Sequence, residues 1–298
     1  MDFEIENPHP PQATPESSKT ELNRAKLRPQ VSATTPADAP KFPVWRAARW
    51  LARACLYIGL ALYVGGKYYV AKFDDKLDID RNVRRDPTQE PLRKTPFPFE
   101  YGGHHYQIQP VAAYDISGLV VSRNNISSVF DAYHTKDSVD FRDICLVWGS
   151  NVGSGVFRKF KFWSMPWSCH YQTEDRAALD SFNESQISNN HLLSADPAIR
   201  EKISKMEIGD QVRLQGFLIN YWPQEASELA RRTSTTRDDR GNGACEVLWV
   251  EHAEFLRRGG TNWHLLETVG GWLLVTAAAL SAALFFLTPL GEYRKFRD

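Results

Sequence analysis

Residues Thr268–Gly291 read TVGGWLLVTAAALSAALFFLTPLG and hold no charged side chain. Glu267 precedes the run, and Glu292, Arg294, Lys295 and Arg297 follow it. About twenty apolar residues at 1.5 Å each cross roughly 30 Å of hydrocarbon. A helix satisfies its own backbone hydrogen bonds in lipid, so the pattern predicts a transmembrane helix over 266–290 rather than a buried core helix.

Toward the other end, Trp50–Ala71 reads WLARACLYIGLALYVGGKYYVA, interrupted by Arg53 and Lys67. Its uncharged centre, Ala54–Gly66, covers only about two-thirds of a bilayer. Both charges sit near the ends, where long side chains reach the headgroups. Trp45, Trp50, Tyr68 and Tyr69 are placed like interfacial aromatics. These features predict a first span over 48–70, with an amphipathic helix lying in the interface as the alternative.

Two spans put both termini on one side. Lys19, Arg24, Lys26, Arg28, Lys41, Arg46 and Arg49 precede the first span, and the Arg294–Lys295–Arg297 cluster follows the second. That bias predicts cytoplasmic termini and an exported middle domain. Lys72, Lys76, Arg81, Arg84 and Arg85 oppose it, but long domains translocate largely regardless of charge. Lys plus Arg and Asp plus Glu both number 36, so no net field favours a nucleic-acid partner.

Residues 1–43, rich in Pro, Ser, Thr and Ala, read as a disordered cytoplasmic tail. Residues 71–100 read as a juxtamembrane connector: a short helix, then an extended segment carrying Pro87, Pro91, Pro96 and Pro98. Residues 291–298 form a second cytoplasmic tail. The exported domain is 101–258.

Within that domain the texture is β. Tyr106–Val111 and Tyr114–Arg123 read as two strands, and Asp143–Gly149 as a strand buried on both faces. Val156–Trp163 and Trp167–Thr173 read as two more. Helices are predicted over Glu174–Phe182 and Asp196–Met206, the second with Asp196 as N-cap and Pro197 at the first helical position. Ile208–Trp222, IGDQVRLQGFLINYW, opens with a Gly-Asp turn and alternates with period two around Gly216. A mid-strand glycine of this kind lets a barrel strand bend. Thr233–Arg237 and Ala244–Glu251, either side of the turn-forming DDRGNG, read as a hairpin. The fold class is therefore mostly β, an OB-like small barrel or sandwich with one or two helices, between two transmembrane α-helices.

GDQVRLQGFL resembles the turn-strand signature of OB-fold-like barrels. Asp143, Cys145, Trp148 and Gly149, followed by WSCHY, SNNHLL, GDQVRLQG and TTRDDRGNGACE, together resemble a group of uncharacterised bacterial membrane-anchored proteins. The resemblance covers roughly residues 105–255. It implies a bacterial inner (cell) membrane with a periplasmic middle domain, and brings no activity with it. The layout of two terminal spans around a β domain is similar to that of the Surfeit-type cytochrome oxidase assembly factors, although their arginine-glycine-tryptophan segment is absent.

Cys55 falls inside the first span. Cys145, Cys169 and Cys245 fall in the exported domain, where an oxidising compartment would pair two of them. Cys145 with Cys169 and Cys145 with Cys245 both remain open. No CxxC or HxxxH is present, and neighbours such as His104-His105 point to opposite faces of a strand, so neither a metal nor another cofactor is expected. His191, with Asn189 and Asn190, reads as a structural histidine in a polar loop. A cysteine nucleophile with His191 as base is the sharper alternative. Asp238, Asp239 and Glu246 suit a tight turn better than a cation loop. No residue is assigned a catalytic role. The sequence thus points to a non-enzymatic periplasmic module that binds a protein or envelope component beside the bilayer. An assembly factor for a membrane complex comes second, and a thiol- or metal-dependent envelope hydrolase third.

Overall fold

The computed structural model describes residues 44–73, 77–124, 139–225, 230–236 and 245–287. The two expected tails and the Asp238–Asp239 turn lie outside the described residues.

Both apolar runs form helices, α1 (Val44–Lys72) and α5 (Thr261–Leu287), each long and apolar enough to cross a membrane. They pack against each other through small residues. A Cβ on Gly270 would lie 2.4 Å from the Tyr63 nitrogen, and one on Gly66 would lie 2.7 Å from the Glu267 nitrogen. This proximity of backbones brings Lys67 to 3.3 Å from Glu267 and stacks Tyr69 on Trp263 at 4.3 Å. Lys67, which interrupts the apolar run in sequence, thereby gains a partner on the other helix. Trp50, Tyr57, Ile58, Trp272, Phe285 and Phe286 stay exposed.

Among the described residues strand accounts for about 37 % and five α-helices for much of the rest, so the architecture is mixed rather than mostly β. The correction comes chiefly from the two long helices. The strands are β1 (Thr88–Pro91), β2 (Phe97–Tyr101), β3 (His104–Asn124), β4 (Arg142–Val147), β5 (Lys161–Met165), β6 (Ser168–Gln172), β7 (Ile187–Leu193), β8 (Gln211–Pro223) and β9 (Glu246–Arg257). The short helices are α2 (Gly149–Gly153), α3 (Arg176–Ser181) and α4 (Pro197–Ser204). In the large sheet β3 pairs with β4, β4 with β7, β7 in parallel with β9, β9 with β8, and β8 with β3 again. β5 and β6 form a separate hairpin.

Four readings of the sequence change. Tyr106–Val111 and Tyr114–Arg123 are one strand, β3, because a bulge between Pro110 and Ala112 absorbs the proline without ending the ladder. The connector holds a 3-10 turn at Arg81–Arg84, capped by Asp80, and then β1 and β2, which pair with β3 alone and so tolerate Pro91 and Pro98. The first half of VFRKFKFW is a 3-10 turn, Val156–Lys159, entered through Gly155 at φ 78°. Finally, β9 pairs with β8 and β7, and among the described residues 233–236 meet the 245–247 segment through Ser234 N–Cys245 O and Val247 N–Thr233 Oγ1, while Arg237 and Ala244 of the expected hairpin lie outside the described residues.

Alternation sends Tyr114, Ile116, Ile144, Leu146, Leu192, Leu214 and Leu248 into one core. Ile203 from α4 and Met206 just after it are buried in the same core. Asp196 caps α4 by accepting from the Ala198 N–H at 2.8 Å, with Pro197 at the first position as predicted. The Gly-Asp turn also has a physical reason. Gly209 sits at φ 94°, and the buried Asp210 carboxylate accepts the N–H groups of Glu207 and Gly259, both at 2.9 Å. That turn meets the segment leading into α5, where His264 Nε2 lies 2.8 Å from the Ile208 carbonyl.

Candidate functional site

The register of three strands assembles the site. Asp143 on β4 stands opposite His191 on β7, and Cys145 opposite Asn189. β9 runs parallel on the other side of β7, with Asn190 opposite Glu246 and His191 opposite Val247. Cross-strand neighbours share a face, so Asp143, Cys145, Asn189, His191 and, one residue before β9, Cys245 form a patch on one side. Asn190 and Glu246 belong to the opposite side.

Asn189, Asn190 and His191 are therefore buried strand residues, not a polar loop. A polar triplet normally signals a turn. Here each polar side chain makes at least one polar contact, which lowers the cost of burial, while Asn189 Oδ1 and Asn190 Oδ1 have no partner among the described residues. Asn190 donates to Ser188 Oγ at 3.0 Å and to the Ile144 carbonyl at 3.3 Å.

His191 and Asp143 are both fully buried, and Nδ1 lies 2.7 Å from Asp143 Oδ1. Arg231 Nη2 donates to His191 Nε2 at 2.7 Å. An arginine has no acceptor, so this contact belongs to the neutral imidazole, in which Nε2 offers its lone pair and Nδ1 carries the proton given to Asp143; once the ring is protonated, Nε2 can no longer accept from Arg231. The Arg231 guanidinium lies 4.7 Å from the Trp167 ring centre, and the Trp167 ring is 5.4 Å from that of His191. The Cys245 thiol donates to the Trp167 carbonyl at 3.4 Å, and Asn189 Nδ2 is 3.9 Å from its sulfur.

Trp167 occupies the second position of the two-residue turn between β5 and β6, after Pro166, at φ 66°. That position normally takes glycine, and an indole there carries backbone strain of about 1 kcal/mol or more. Its contacts to Arg231, His191 and Cys245 hold it in place. The sulfurs of Cys145 and Cys169 are bonded at 1.99 Å, tying the β5–β6 hairpin to β4. Cys245 remains a free, half-buried thiol, and Cys55 a free thiol in α1. Cys145 and Cys245 lie two strand spacings apart, about 9.6 Å. That exceeds the roughly 7 Å a disulfide can span, so the alternative pairing fails.

Asp143, Arg231 and Trp167 were not singled out as site residues from the sequence. The only local signal was Pro-Trp between two strand patterns. Arg231 offered none, since its partner is 40 positions away.

Burial disfavours the imidazolium of His191, but the neighbouring Asp143 carboxylate outweighs it and raises the pKa to about 9. Because that value lies above the ordinary 6.5, the stabilisation is fully present below about pH 6.5 and is lost as pH rises through about 9. Asp143→Asn leaves the burial and removes the carboxylate. We expect His191 to titrate below 6.5 in that variant, followed through its ring nitrogens by NMR. A titration still near 9 would mean that Asp143 is not the cause.

Asp140, Asp143 and His191 place one ligand atom each within 4.8 Å of one another. A cation does not fit this set as it stands. Nδ1 is committed to Asp143, and Nε2 faces a guanidinium 2.7 Å away. The arrangement is a buried carboxylate–imidazole pair flanked by an arginine, with the Cys245 thiol on the same face of the sheet.

No protein-family model, no curated protein and no solved structure matches this chain.

Proposed function

We propose that the protein is a two-pass membrane-anchored module whose OB-like β domain recognises a protein or envelope component beside the bilayer. One observation carries the anchoring. α1 and α5 cover each other along a glycine-lined seam, yet only 11 % and 17 % of their most apolar windows are buried. Exposing Trp50, Trp272, Phe285 and Phe286 to water would be costly, whereas lipid covers them at no such cost. The OB-like reading rests on the ring of pairings from β3 through β4, β7, β9 and β8 back to β3, with α4 between β7 and β8. In such barrels the outer face of the second and third strands is the usual ligand face. Here those strands are β4 and β7. The positive-inside bias supports a periplasmic domain.

The test is labelling with a membrane-impermeant maleimide in intact cells, in a Cys55→Ser, Cys245→Ser background. One cysteine is placed at Glu201, exposed on α4, and another at Ser17 in a separate variant. Labelling at Glu201→Cys alone is expected. Labelling at Ser17→Cys alone puts the domain in the cytoplasm and sinks the periplasmic reading. A photo-crosslinker at the exposed Met165 then reports recognition, and a discrete adduct is expected. The absence of any adduct on protein or envelope material overturns the recognition role.

A further inference from the structure

A cavity of about 560 Å³ lies where the apolar stretches of α1 and α5 meet the β domain. That volume falls within the roughly 300–1,000 Å³ usual for small-molecule sites. Its lining has two characters. On the helix side stand Tyr69, Val70, Phe73 and Trp263, with the Tyr69 and Trp263 rings stacked at 4.3 Å. On the domain side stand Arg257 and Arg258, at and just after the end of β9, and Asp78 from the chain that follows α1. Val70 and Asn262 are the domain-side ends of the two apolar stretches. In a bilayer the cavity therefore falls at the depth where hydrocarbon gives way to headgroups.

The surrounding backbone fixes the shape of this space. A Cβ on Gly259 would lie 1.9 Å from the Gly209 carbonyl oxygen, so two lining segments touch backbone to backbone. Phe73 is left-handed at φ 50°, a strained conformation for an aromatic residue, and its buried ring is held against Phe157 at 5.3 Å. Both arginines also keep donors in reserve. Arg257 Nη1 lies 2.8 Å from Asp78 Oδ2, and its Nε 3.9 Å from Asp80 Oδ2. Arg258 Nη1 donates to the Lys205 carbonyl at 3.2 Å, and its Nε lies 3.5 Å from Asp210 Oδ1. A guanidinium has five N–H donors. Among the described residues these contacts leave Nη2 of each arginine for an outside acceptor, and both side chains are about half exposed.

We propose that this cavity binds the phosphate of a membrane phospholipid, held by Arg257 and Arg258, with Tyr69 and Trp263 beside the glycerol and the first chain carbons. The inference rests on the anchored reading, but not on which side of the membrane the domain faces. Guanidinium groups match a phosphate through paired N–H donors, and the amino end of the 27-residue helix α5 adds partial positive charge. A free phosphate ion would engage the arginines and leave the aromatic wall in water. A phospholipid covers both walls, which favours it over the free ion. Asp78 is the competing anion. It is largely exposed, so its pairing with Arg257 is weak and yields to a phosphate at little cost.

The experiment uses the full chain. Membranes holding it are first washed with alkaline carbonate. Release into the supernatant sinks the anchored reading and this inference with it, whereas retention in the pellet upholds the anchored reading whatever the lipid test gives. The protein is then purified in dodecyl maltoside, titrated with dioleoylphosphatidylglycerol and followed by native mass spectrometry. We expect one lipid per chain, and binding at least about tenfold weaker in Asn262→Glu. Asn262 lines the cavity at the second position of α5, where a carboxylate favours the helix, so this variant keeps the fold while repelling the phosphate. Arg257→Gln combined with Arg258→Gln should weaken binding as much. Arg213→Gln should leave it unchanged, because Arg213 is an aspartate-paired arginine outside the cavity. Equal binding by the parent and Asn262→Glu overturns the proposal. Competition by dioleoylglycerol, which has the same chains and no phosphate, overturns phosphate recognition. Displacement of the lipid by excess inorganic phosphate assigns the cavity to a free anion and overturns the phospholipid.

Discussion

Gly216→Val abolishes folding of the β domain, with a loss of about 4 kcal/mol or more in chemical denaturation. Gly216 sits mid-strand in β8, where the pairing with β9 shifts register between Gln215 and Gly216. A Cβ there would lie 1.9 Å from the Trp249 carbonyl oxygen and 3.0 Å from its carbon. The obstacle is backbone, so no rotamer change relieves it. β8 is also held on its other side by β3, where Tyr114 faces Gly216. The strand cannot retreat from β9 without leaving β3, and even Gly216→Ala should be strongly destabilising. Gly153→Ala in α2 is the control. Nothing lies within 4 Å of a Cβ at Gly153, and the substitution should be neutral or stabilising by up to about 1 kcal/mol. Equal stability of Gly216→Val and the parent would mean that β8 and β9 do not meet at this bulge.

That glycine was legible in the sequence because its neighbours alternate strictly and one small residue breaks the pattern. α4 was legible for a similar reason: Asp196 and Pro197 act within one turn, and the cap needs nothing from the rest of the chain. What stayed hidden depended on distance along the chain. Pro110 looked like a strand end because the bulge that accommodates it is set by β8, some hundred residues away. Asn189 and Asn190 looked like loop formers because the groups that satisfy them lie on β4 and across the patch. The Asp143–His191 contact follows from the β4–β7 register, and nothing within seven residues of either announces it. Arg231 reaches His191 from a segment outside the named strands, held to β8 by the bridge with Tyr221. Local propensity gives the elements, then, while a polar site assembled across three strands depends on register, which single-sequence patterns specify weakly when the strands carry buried polar residues. Ala277, a small residue in the second apolar run, is 3 % exposed. The partner that covers that side, α1, was read as a span without any sign of which of its faces would meet α5.

The helix seam makes the second large prediction. Gly270→Leu should separate α1 from α5. A Cβ at Gly270 would lie 2.4 Å from the Tyr63 nitrogen and 2.8 Å from the Gly59 oxygen, both backbone atoms of α1. Gly59 shows the reciprocal contact, with the Leu273 Cβ at 2.9 Å and the Gly270 oxygen at 3.0 Å. In lipid or detergent there is no hydrophobic gain from pairing two apolar helices, so association rests on this close van der Waals approach and on whatever polar contacts it permits. Pushing the axes apart by a side chain's width removes the Tyr69–Trp263 stack and the Lys67–Glu267 pair together. The loss of the ion pair alone would matter little, since Lys67 is half exposed. Losing the seam takes all of these contacts at once. The effect is measured by cutting the chain at a protease site inserted in the exposed Glu174–Asp175 turn and asking whether the fragment bearing α1 stays with the fragment bearing α5 in denaturant concentrations that melt the β domain. The parent fragments should remain together, and those of Gly270→Leu should part. Gly65→Leu is the matched control, because a Cβ at Gly65 meets nothing within 4 Å although its neighbour Gly66 lies on the seam. Dissociation in both variants would point to a general effect of leucine on these helices, and dissociation in neither would mean that the helices pair through some other face.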